Sequence, residues 1–158
     1  NVVAYGTEAL GVMRIEKGHA AGNELNGQIT AQNLGLEKMM SKKKDFVGNV
    51  LSRRSELNKE SIVKLVGFKP VNKEIELKAG AHFISLGKEA CTKNDEGWMS
   101  SVAFSPSLNH SIGLGFIKNG NNRIGEIVNA VDPLRKSNIE VEIVSPHFLD
   151  PEGERLRE

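Results

Sequence analysis

The sequence predicts an α+β chain: a short helical segment over residues 1 to about 60, then a β-rich remainder. Two observations carry this. Ala9 to Gly22 reads as a short helix running into a glycine stop. From Ile62 the pattern changes to short Val-, Ile- and Phe-rich runs between Gly-, Pro- and Asn-bearing turns, which implies a β-sandwich or barrel.

In the first helix Ala9, Val12 and Met13 share one side, Glu16 falls between Val12 and Ala9, and Arg14 lies on the far flank. A carboxylate on an apolar stripe needs a partner, so Glu16 reads as part of a structural ion pair or a buried cap. Thr7 is the expected N-cap, Glu8 suits the positive end of the helix dipole, and Lys17 with Gly18 suits the C-terminal end. His19 to Gly27 is turn-rich. Thr30 to Met40 reads as a loop and short helix, with Leu34, Leu36, Met39 and Met40 facing the core. Lys42 to Lys44 form a solvated basic run, with attraction of an anionic tail as the functional alternative. Asp45 is the expected N-cap of a helix carrying Val47, Val50, Leu51 and Arg54, and the polar stretch Leu57 to Ser61 is the expected boundary.

Ile62 to Phe68 reads as a mostly buried strand ended by Pro70. Ala81 to Leu86 and Lys88 to Thr92 read as a hairpin across Gly87. Trp98 to Ser105 is a strand stopped by the Ser105-Pro106-Ser107 turn, and His110 to Ile117 pairs back onto it. Gly113 and Gly115 inside that strand predict a bulge or close backbone approach. Ile124 to Val131 and Ile139 to Val144 alternate across a loop.

A hydrophobic content of 39% and a charged content of 26% are those of an ordinary globular chain. The formal charge of +1 and the 5% aromatic content argue against a nucleic-acid surface. No apolar run approaches the length of a membrane span, and no stretch with a basic start and an apolar middle reads as a signal peptide. Cys91 is the single cysteine and is read as a reduced core or strand residue of a cytoplasmic protein. His19, His82, His110 and His147 show no metal-ligand spacing. Neither a phosphate-binding glycine loop nor a GxSxG elbow is found. No catalytic residue is assigned.

Four stretches carry a family resemblance: ALGVMRIEKGHAAGNEL, LGLEKMMSKKKDFVG, SVAFSPSLNHSIGLGFI and PHFLDPEGERLR. In this order they resemble the C-terminal part of the alpha subunits of heterotetrameric sarcosine oxidases, within the wider family of folate-binding aminomethyltransferases typified by the glycine-cleavage T-protein. The resemblance implies that residues 1–60 end a central, ferredoxin-like folate-binding lobe and that residues 61–158 form a small jelly-roll-like barrel. It implies tetrahydrofolate as the cofactor of this region, with FAD, FMN and NAD elsewhere in the parent complex. Other oxidase subunits and a preceding part of the same chain are the implied partners, with no nucleic acid and no membrane. The family's catalytic aspartate and pterin-binding glutamate match nothing here, and Asn1 is read as opening a fragment. Arg14 falls on the family's folate-contacting arginine, Glu16 would orient Arg14 or cap the adjacent backbone, and Phe148 would pack against the folate ring system. An aminomethyltransferase, a dimethylglycine dehydrogenase-type enzyme and a non-catalytic barrel module remain the alternatives.

Overall fold

Helix α1 (Thr7–Glu16) leads into six antiparallel strands in the computed structural model, which describes residues 3–59 and 61–157. Asn1 and Glu60, which fall at the expected fragment start and the expected boundary, lie outside the described residues. The strands are β1 (Val63–Pro70), β2 (His82–Ser85), β3 (Gly97–Ser105), β4 (His110–Lys118), β5 (Ile127–Asp132) and β6 (Ser137–Val144). They close into a barrel in the order β1-β4-β3-β2-β5-β6, with β6 returning to β1. The alternation in β6 has a direct cause: Ile139, Val141 and Ile143 point into the barrel, and residues two apart share a face. Inside, Val66, Phe68, Phe83, Met99, Ile117 and Val128 are buried against one another, and Phe68 stacks on Phe83 with ring centroids 4.0 Å apart.

Strand β4 is buried along almost its whole length, because a second core covers its outer face. Ile15, Leu65, Ile112, Leu114 and Phe116 form this core, with Ala20, Ile29 and Leu34 packed against it. The N-terminal segment is thus a cap on the outside of β1, β3 and β4. Asn33 fastens it: its Nδ2 donates to the Val63 carbonyl at 2.7 Å, and its own carbonyl accepts from Leu65 N–H at 2.7 Å.

Several local expectations change. Gly6, not Thr7, is the N-cap of α1 and offers no side-chain bond, because Thr7 is already within the helix. The buried residues of α1 are Ile15 and Glu16, whereas Met13 is exposed. The expected helix after Asp45 shrinks to α2 (Asn49–Ser52), since Gly48 is left-handed and breaks the run. Asp45 instead accepts from Phe46 N–H and Asn49 Nδ2. Val47, Val50 and Leu51 lie exposed. Residues 88–92 are not a strand, because β2 pairs with β5 on one side and β3 on the other. Cys91 is consequently exposed rather than in the core. No helix among the described residues is long and apolar enough to cross a membrane.

Gly113 and Gly115 do mark close approach. A Cβ at Gly113 would fall 2.4 Å from Met99 Sδ, and one at Gly115 would fall 2.6 Å from the Trp98 carbonyl oxygen. Opposite them β3 carries a bulge, where the register slips between Met99 and Ser101.

Candidate functional site

The C-terminal turn of α1 lies against β3 and against the stretch that follows β6. Gly18 ends the helix with φ +74°, and its N–H donates to the Ile15 carbonyl at 3.0 Å while His19 N–H donates to Arg14 at 2.7 Å. This is the left-handed C-terminal cap expected of glycine. Only glycine fits, since a Cβ would fall 2.5 Å from the Pro146 carbonyl oxygen.

Arg14, Glu16 and Phe148 come together around this helix end, but with different partners from those the sequence suggests. Arg14 and Glu16 are two positions apart, so on a helix they point to different sides. The anion that holds Arg14 is Glu24, at 2.9 Å from Nη1. Arg14 Nη2 donates to Ser101 Oγ at 2.7 Å, and a longer contact of 3.5 Å joins Nη1 to the His19 carbonyl. Glu24 is fully buried, while the Arg14 side chain is 19% exposed.

Glu24 is saturated. Its Oε2 accepts from Arg14 and from Ala21 N–H at 3.0 Å, and its Oε1 accepts from the hydroxyls of both Ser100 and Ser101. Neighbouring residues of a regular strand face opposite ways. The bulge at Ser100 lets two successive serines serve one carboxylate, as bulges re-aim side chains. Burial pushes the Glu24 carboxyl up, but the two serine hydroxyls, Ala21 N–H and the Arg14 charge together hold it below the usual carboxylate range.

Glu16 turns instead to Ser105, whose hydroxyl donates to its Oε1 and whose Oγ also accepts from Leu108 N–H. The buried carboxylate on α1 is therefore answered by the Ser-Pro-Ser turn after β3. The Glu16 carbonyl accepts from the N–H groups of Phe148 and Leu149, at 2.9 and 3.0 Å. The Phe148 ring packs against the second core and sits where a Cβ on Gly67 would otherwise lie, 2.7 Å from Phe148 Cζ. Asp150 pairs with Lys17, and His147 Nδ1 meets the Lys17 carbonyl at 2.9 Å. Residues 147–150 thus form a strap across the end of α1. A cavity of about 260 Å³ beside it is lined by Met13, Glu16, Lys17, His19, Leu149, Asp150 and Arg155.

Lys42 of the basic run lines a separate cavity of about 600 Å³ with Arg53, Lys64 and Asn119. Among the described residues, no group of three or more His, Cys, Asp or Glu could hold a metal ion. His82 pairs with Asp95 at 2.9 Å. Sequence reasoning missed Glu24 and Ser101, the two side chains that hold Arg14. A bulge was among the readings of Gly113 and Gly115, but nothing marked which side chains it would re-aim.

The site thus lies where an N-terminal segment, with Arg14 tied to Glu24 and Ser101, caps the outside of a small closed antiparallel barrel. The chain belongs to the family of the glycine cleavage T-protein C-terminal barrel domain, whose model matches residues 64–150. It is 39% identical over 156 residues to the sarcosine oxidase subunit alpha of Rhizobium meliloti (strain 1021), covering 98% of this chain and 16% of that protein. It is 38% identical over 159 residues to the sarcosine oxidase subunit alpha of Corynebacterium sp. (strain P-1), with the same coverage. The aminomethyltransferase of Thermosipho melanesiensis is 31% identical over 149 residues, or 94% of this chain and 38% of that protein. The chain therefore spans 16% of the length of these oxidase subunits. The crystal structure of glycine cleavage system aminomethyltransferase T from Bartonella henselae superposes with a TM-score of 0.71 at 22% identity, covering 89% of this chain and 38% of that one, and shares its fold.

Proposed function

We propose that this chain is the C-terminal, folate-binding part of a sarcosine oxidase alpha subunit. The parent enzyme oxidatively demethylates sarcosine and passes the one-carbon unit to tetrahydrofolate. The observation that carries this reading is the similarity to sarcosine oxidase alpha subunits over 98% of the chain. Within it, residues 1–60 end the central folate-binding lobe and residues 61–158 are the barrel domain. FAD, FMN and NAD belong to other parts of a cytoplasmic complex that includes the other oxidase subunits.

Tetrahydrofolate, when bound, supplies the nitrogen that accepts the one-carbon unit. The residues here fit the task of holding it. A guanidinium has five N–H donors, and the contacts to Glu24, Ser101 and His19 occupy three of Arg14's. The remaining two, on a partly exposed side chain, suit an acceptor-rich ligand. Arginine serves here better than lysine, because its planar fork sets direction as well as charge. Glu16 and Phe148 act one step back: through Ser105 and the Glu16 carbonyl they keep the end of α1, and with it Arg14, against the barrel.

In the full-length polypeptide, Arg14→Ala is expected to weaken folate binding by about 1.5–3 kcal/mol, the loss of a charged hydrogen bond. Titration of folate into wild type and variant tests this, and unchanged affinity would remove the role. A chain of modest length that purifies alone and colourless would instead favour an aminomethyltransferase, which the family of the barrel also accommodates.

A further inference from the structure

We propose that Glu24, with Ser101 as a second prong, is the positioning residue that aims Arg14 at its ligand. The inference rests on the reading of Arg14 as a folate-binding residue and deepens it.

The geometry is a closed ring of three side chains. Glu24 accepts from Arg14 Nη1 at 2.9 Å, Arg14 Nη2 donates to Ser101 Oγ at 2.7 Å, and Ser101 Oγ donates to Glu24 Oε1 at 2.6 Å. Two donors on different nitrogens of one guanidinium, each tied to the same carboxylate directly or through one hydroxyl, fix the plane of the fork. A single ion pair would leave it free to rotate. Glu24 cannot be the ligand's own partner, because it is fully buried and both its oxygens are taken. Its action on a ligand must therefore pass through Arg14.

The ring also changes what Arg14 can recognise. Its charge is already balanced by Glu24 at contact distance, so long-range attraction of anions is weak. What remains is the direction of the two N–H groups that Glu24, Ser101 and His19 do not take, set by the plane that the ring fixes. This predicts selectivity for acceptor geometry over charge, and hence that Arg14→Lys is a poor replacement although the charge is kept. The strand bulge is part of the device. Without the extra residue at Ser100, Ser100 and Ser101 would face opposite sides of β3 and only one could reach Glu24.

The test is folate binding in the full-length enzyme, measured as Kd for Arg14→Ala, Arg14→Lys, Glu24→Gln, Ser101→Ala and the Arg14→Ala/Glu24→Gln double variant. Glu24→Gln keeps the shape but removes the charge, and is expected to raise Kd about tenfold. Ser101→Ala removes only the Nη2 prong, and is expected to raise it about threefold to tenfold. It carries the test if Glu24→Gln fails to fold. The decisive readout is the double variant. If Glu24 acts only through Arg14, Kd in the double variant equals that of Arg14→Ala alone. Additive losses, or wild-type Kd in both Glu24→Gln and Ser101→Ala while Arg14→Ala is impaired, would overturn the positioning role and leave the folate reading standing. Wild-type Kd in Arg14→Ala would instead overturn the folate reading and the inference with it.

Discussion

The barrel and the segment that caps it are held by opposite kinds of interaction. The cluster that fills the barrel is apolar, and every strand finds partners on both edges. The segment over residues 3–59 buries few side chains, and three of them are polar: Glu16, Glu24 and Asn33. Each is answered by the barrel: Glu16 by Ser105, Glu24 by Ser100 and Ser101, and Asn33 by β1. Apolar burial is non-directional and tolerates repacking. A buried polar group demands one partner in one place. The barrel therefore supplies bulk stability, and the segment supplies registration, placing Arg14 to within a hydrogen bond of a fixed strand.

The largest expected effect lies in the barrel. Phe68→Ala removes a buried ring stacked on Phe83, and is expected to cost about 3–5 kcal/mol, read as a lower urea midpoint for the whole chain. A transition confined to the segment would break the distinction drawn here. Asn33→Ala works on the other side of it. It strands the Val63 carbonyl and is expected to cost about 1–3 kcal/mol. The loss should appear in hydrogen exchange as faster opening of residues 9–35, with the amides of β5 and β6 unchanged. Acid gives the smallest and most general effect. Glu24 and Asp150 both have carboxyl pKa values held down in the folded chain: burial raises them, but the hydrogen bonds from Ser100, Ser101 and Ala21 to Glu24, and from Lys17 and Glu154 to Asp150, outweigh it. A lowered folded pKa adds stability that is present above the ordinary carboxylate range and is lost as pH falls through the folded value. As pH falls through the ordinary carboxylate range and below, hydrogen exchange should therefore quicken at the amides around Glu24 and Asp150. Unchanged exchange at both places would contradict this.

The same contrast explains what could be read from the sequence. Ile139, Val141 and Ile143 alternate because one face of β6 is interior, so the strand is visible locally. The partner of β2 is not visible locally. The polar stretch after Gly87 passes for a return strand until β5 is seen occupying that edge. In the site, Arg14 could be singled out by its motif, and Glu16 as a carboxylate needing a partner, but the pairing could not. Glu24 stands in a stretch that reads as a turn, and its serines lie 76 and 77 residues away. Both serines reach it only because of a backbone irregularity. Asp45 shows the converse, a good capping residue whose helix is cut short by the left-handed Gly48.

The strap over the end of α1 has a consequence for biosynthesis. The Glu16 carbonyl and the Lys17 ammonium take their partners from Phe148, Leu149 and Asp150, so the contact closes a loop of more than a hundred residues, 133 in the case of Lys17 and Asp150. Long closures come late in folding, because the chain entropy must be given up before the contact returns anything. In chain order α1 precedes all six strands, so these last contacts of the helix form only once β6 and the residues beyond it have been made. Arg14, one turn back, depends on a shorter closure, the 87 residues that separate it from Ser101 on β3.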